Sequence, residues 1–105
     1  MQAGQLELLP GAGEILPGIG SLITPGHTRF HQSIVIQSSG QTACYVADLC
    51  PMAAHVRSHW CMAYDTEVLE TRRQKSRLLG QAADEEWLIL WDHDPDMVAC
   101  RLLRD

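Results

Sequence analysis

Two runs of β-type residues, "HQSIVIQ" and "TACYVADL", lie on either side of a short "SSG" segment. Branched and aromatic residues flanking a Ser/Gly break form an antiparallel hairpin, with its turn near Ser38 to Gly40. This pairing constrains the chain more than any other feature. A hairpin fixes register, and register decides which residues meet at the far end. Folding back about that turn sets Asp48, late in the second run, opposite His31 at the start of the first. His27 lies just beyond the same edge, in "TPGHTRFHQ". There a Pro-Gly turn is followed by two imidazoles for which a turn has no use.

The remaining segments build around the hairpin. "QLELL" reads as a short alternating strand, and the Pro/Gly punctuation of "LPGAGEILPGIG" forbids a helix. "PMAAHVRSHW" begins with a proline suited to a first helical turn. "DTEVLETRRQKSRLLGQAAD" reads as a longer helix that Asp65 or Thr66 caps, with "ETRRQKSR" as its solvated face. "EWLILW" is a buried strand, "DHDPD" a turn and "MVACRLL" a final strand. The sum is α/β, one mixed sheet with helices on one face. A helical crossover between "TACYVADL" and "EWLILW" makes those strands parallel, and neighbouring by the usual connection rules. Their carboxyl ends then share an edge, where Asp48 and His93 lie with His27. Imidazole and carboxylate converging at such an edge suit a divalent ion of the zinc type.

At 105 residues and 46% hydrophobic, the chain forms a single domain, residues 1–105. Eight basic against thirteen acidic residues give a net charge of -5, which argues against nucleic acid as a partner. No run approaches a membrane span, and "MQAGQLELLPGAGE" lacks the features of a signal peptide, so a cytoplasmic location is expected. The four cysteines form no C-x-x-C pair and are expected to be reduced and unlinked.

"TPGHT" before a strand, "VADLCP" closing a hairpin and "WDHDPD" closing a late strand resemble, in that order, the last three ligand motifs of the metallo-β-lactamase-fold hydrolases. The resemblance runs over essentially the whole chain, including the "AYD" before the long helix. It implies the C-terminal half of an αββα sandwich, closest to the lactonase, esterase or thioesterase branches. His27 would be a ligand of one metal, Asp48 the catalytic carboxylate bridging two metals, and His93 a ligand of the second. Thr28, His31 and Asp94 would support these ligands by hydrogen bonds. The implied cofactor is zinc or a similar divalent metal, two per complete site. A hydroxide formed between the metals would attack a small-molecule ester, lactone or thioester.

Two departures stand out. Arg29 and Phe30 occupy the place where the commoner motif has Pro-Gly. The family's His-x-His-x-Asp-His motif is absent, since no two histidines of this chain flank a single residue. Metal is therefore expected to be absent or partial in the chain alone, and turnover nil. Two other readings follow: a non-catalytic half-fold that self-associates through its exposed sheet face, and a small self-contained metal-binding domain. His55 and His59, four apart on a helix, are read as solvated or capping. Trp60, Trp87 and Trp91 are read as packing groups.

Overall fold

The computed structural model describes residues 4–57 and 59–104. They form one six-stranded mixed sheet and a single α-helix. The strands are β1 (Gly13–Leu16), β2 (Ile19–Ile23), β3 (Gln32–Ser38), β4 (Gln41–Tyr45), β5 (Leu88–Leu90) and β6 (Ala99–Arg101), and the helix is α1 (Val68–Asp84). The strands lie side by side in chain order. β1 to β4 form an antiparallel meander, β4 and β5 pair in parallel across the helical connection, and β6 returns antiparallel.

The β3–β4 hairpin folds as its sequence demands. Ser39 and Gly40 have φ of 52° and 75°, the two left-handed residues that a two-residue turn matched to strand twist requires. Pairing runs from Ser38↔Gln41 to Ile34↔Tyr45, and the same register continued outward sets His31 opposite Asp48. β4 itself stops at Tyr45. Ala47, at φ 51°, breaks the strand into a short 3-10 turn, Ala47–Leu49, that carries Asp48.

Alternation along the strands divides the sheet into two faces. Gly20, Val35, Cys44, Ile89 and Cys100 form one cross-strand row beneath α1. Leu78, Leu79 and Ala82 of the helix close over it, with Val46, Leu49, Trp87 and Trp91 at its margins. Ile34, Ile36, Tyr45, Leu88 and Leu90 point the other way. Among the described residues that second face has no layer over it, and Ile36 and Tyr45 are each 36% exposed.

Four local expectations are corrected. Gln5–Leu9 is not a strand: its leucines are exposed, and β1 forms later, where the Pro17-Gly18 turn lets it fold back on β2. Among the described residues of "PMAAHVRSHW", outside which Ser58 lies, the expected helix does not form and a 3-10 turn, Ala53–His55, stands in its place. A ten-residue helix needs packing to survive, and past the buried Pro51 the described side chains of this stretch that pack on the core are Ala53 and Val56. His55 and His59 therefore share no helix face, and Trp60 is half exposed. Neither Asp65 nor Thr66 caps α1, because both side chains are engaged by the loop around His27. The "ETRRQKSR" face is not fully solvated either. Thr71 and Lys75 lie on the same stripe as Leu78 and Ala82, and Lys75 is 1% exposed, its ammonium donating to the Trp60 carbonyl.

All four cysteines are unlinked thiols. Cys44 and Cys100 flank Ile89 on opposite sides, so a strand separates them by roughly 10 Å, beyond disulfide reach. Burial pushes the Cys44 and Cys50 thiols up to about 12. Native protein should resist iodoacetamide at these two, and denatured protein should yield four alkylated thiols by mass spectrometry.

Candidate metal centre

His27 is held by the loop between β2 and β3. Gly26, buried and at φ 144°, lets this loop press against the start of α1, where a Cβ would stand 2.3 Å from Thr71 Oγ1. The Glu67 and Thr66 N–H groups donate to the carbonyls of Gly26 and His27, at 2.9 and 3.2 Å, and stitch the loop to the helix. Beside these bonds His27 Nδ1 lies 2.8 Å from Asp65 Oδ1, on a carboxylate that is 1% exposed. With Nδ1–H donating to Asp65, the lone pair of Nε2 faces Asp48 Oδ2, 3.4 Å away.

Asp48 is fixed through its backbone. Its N–H donates to His31 Nε2 at 3.1 Å, so His31 carries its proton on Nδ1 and donates toward Thr24, with carbonyl and hydroxyl at 3.1 and 2.9 Å. Both nitrogens of His31 are thereby used. Burial holds its pKa below the ordinary histidine value, against the opposing pull of the Thr24 carbonyl and Asp48. His31 thus has no free nitrogen to offer an ion, and its contact is with the backbone of Asp48.

His93 follows β5, its N–H donating to the Pro51 carbonyl at 3.1 Å. Its Nε2 lies 3.1 Å from Asp48 Oδ1 and 3.5 Å from Asp92 Oδ2. The structure thus brings His27, Asp48 and His93 together, with one oxygen of Asp48 turned to each imidazole. Asp94 does something other than orient His93. Its Oδ2 accepts from Ala53 N–H and its Oδ1 from Asp96 and Met97 N–H, bonds that tie down the loop and hold its carboxyl below the usual range. Thr28 is exposed and contributes its carbonyl, which accepts from the Gly26 and His31 N–H groups.

Neither a protein-family model nor a curated protein sequence matches the chain. Solved structures do. A "probable metal-dependent hydrolase" from Staphylococcus aureus superposes with a TM-score of 0.92 at 29% identity, over 98% of this chain and 37% of that one. AidC, a dizinc quorum-quenching lactonase in complex with a product, gives 0.78 at 21% identity, over 89% and 32%. The hydrolase AbOPH of the β-lactamase superfamily gives 0.78 at 18%, over 89% and 33%. This is part of a metallo-β-lactamase fold. The chain spans about a third of the length of these structures.

The metallo-β-lactamase fold implies metal, and the donor set fits one. Ligands about 2.0–2.1 Å from a tetrahedral ion stand roughly 3.3 Å from one another. The contacts at 3.1, 3.4 and 3.5 Å cluster around that spacing. Sequence reasoning missed Asp92 and Asp65. Asp92 was visible only as one of three acids in "WDHDPD", and nothing local to Asp65 links it to His27. Beside His93 the fold opens a cavity of about 500 Å³, lined by Pro51, Met52, His55, Met62 and Tyr64.

Proposed function

We propose that the chain is the C-terminal portion of a dinuclear metal-dependent hydrolase of the metallo-β-lactamase fold, acting on a lactone, ester or thioester in the cytoplasm. The observation that carries this reading is the split carboxylate of Asp48, with Oδ2 toward His27 and Oδ1 toward His93. In this reading His27 belongs to one metal, His93 to the other, and Asp48 bridges them. The remaining ligands come from a segment with the His-x-His-x-Asp-His pattern. Zinc or a similar ion, two per complete site, would acidify a water and polarise the scissile carbonyl. The chain's own residues do the positioning. Asp65 fixes the tautomer that leaves His27 Nε2 free, and His31 pins the backbone of Asp48. The sulfur-lined cavity beside His93 receives the apolar part of the substrate.

The test is a polypeptide extended at its N-terminus by the upstream reading frame, assayed on acyl lactones and acyl thioesters. Two zinc ions per molecule and hydrolysis abolished by Asp48→Asn are expected. An upstream frame without the histidine motif, and no hydrolysis, would sink the reading.

The uncovered sheet face favours a second reading, a half-fold that pairs with a copy of itself through Ile34, Ile36, Tyr45, Leu88 and Leu90. Sedimentation equilibrium of the chain at micromolar concentration decides it: a dimer supports self-association, and a stable monomer removes it.

A further inference from the structure

We propose that Asp48, Asp92 and His93 form a divalent-metal site that this chain completes with its own residues. The inference rests on the metal-ligand reading of Asp48 and His93, and does not depend on catalysis. One ligand atom from each of the three lies within 4.8 Å of the other two. His93 Nε2 is the common neighbour, 3.1 Å from Asp48 Oδ1 and 3.5 Å from Asp92 Oδ2. Both separations suit two ligands of one small ion, which stand roughly 3.3 Å apart.

Asp92 carries the argument. Its side chain is 15% exposed, Oδ2 accepts from the Tyr45 hydroxyl at 3.3 Å, and Oδ1 is buried with no hydrogen-bond partner among the described residues. A largely buried carboxylate with one orphaned oxygen bears a desolvation cost that a cation offsets. Tyr45 orients the group from the neighbouring parallel strand, where it pairs with Leu90 just before the turn. Three protein ligands are the number that zinc sites with an open fourth position use. The expectation of near-empty metal sites counted two ligands per metal from this chain. Asp92 raises one of those counts to three.

The experiment titrates metal-free chain with Zn²⁺ by calorimetry and with Co²⁺ by absorption spectroscopy. One equivalent of zinc retained through dialysis is expected, with affinity falling at least about tenfold in Asp92→Asn and His93→Ala and staying within about twofold in His59→Ala, which removes an exposed histidine outside the site. Asp92→Cys supplies a direct readout, because a thiolate ligand gives bound Co²⁺ a near-ultraviolet charge-transfer band that the unsubstituted chain lacks. Circular dichroism confirms that each variant is folded. Wild-type affinity in Asp92→Asn, no cobalt band in Asp92→Cys, or no zinc bound by the unsubstituted chain overturns the site. A chain that binds zinc through Asp92, but whose extended form hydrolyses nothing, leaves this site standing and removes the hydrolase reading.

Discussion

The two ends of the sheet are built by different means. At one end the chain reverses in two-residue turns, Pro17-Gly18 and Ser39-Gly40, shaped by backbone dihedrals and, at Gly18, by a backbone bond from the Gln37 N–H. At the other end the connections are longer, and polar side chains hold them by bonding to backbone or to one another: His31 on Asp48 N–H, Asp94 on Ala53, Asp96 and Met97 N–H, and Asp65 on His27. Every candidate ligand lies at this second end. Irregular backbone must find partners for its own polar groups, and at His31 the side chain that satisfies one also fixes the backbone of a candidate ligand, Asp48.

The contrast predicts where substitutions hurt. The largest effect is expected at Gly26, where an alanine Cβ would meet Thr71 Oγ1 at 2.3 Å and its backbone N at 2.5 Å. Gly26→Ala should cost about 3 kcal/mol or more in urea unfolding, since the helix backbone cannot yield. A loss below about 1 kcal/mol would mean that the loop is not pressed on the helix. Next comes Asp65→Ala, which strips a buried acceptor from His27 Nδ1–H and should cost about 1–3 kcal/mol. Asp65→Asn, which keeps an acceptor, should recover part of that loss. If the two variants unfold at the same urea concentration, the hydrogen bond is not what holds the loop. The smallest effect is at the other end. Ser39→Gly relieves a left-handed φ of 52° and should stabilise by about 0.5–1 kcal/mol. Destabilisation there would break the claim that dihedrals alone shape that turn.

What was legible in the sequence follows the same division. The hairpin register that sets Asp48 against His31 could be counted from its turn, and the parallel neighbour that brings in His93 followed from connection rules. Both rest on ladders whose geometry is nearly invariant. The bond from Asp65 to His27 depends on how a loop settles against a helix, and the chemistry at either residue does not announce it. Lys75 was misread for a related reason. Periodicity places it on the stripe of Leu78 and Ala82, but its charge argued for solvent until the Trp60 carbonyl offered a partner. Asp92 and Asp94 flank one histidine in an acidic turn. Only the folded turn shows that Asp94 faces backbone N–H groups, while Asp92 faces His93 and Tyr45.

The register of β3 against β4 also bears on how the length of this chain can vary. Side chains alternate between the faces of a strand, so one residue added or removed within residues 33–38 or 41–45 would slip the β3–β4 ladder and unseat Asp48 from its place opposite His31. An insertion among residues 59–64, outside the ladders, shifts no strand against another. Length can therefore vary in that segment, part of the wall of the cavity beside His93, without disturbing the register that sets Asp48 opposite His31.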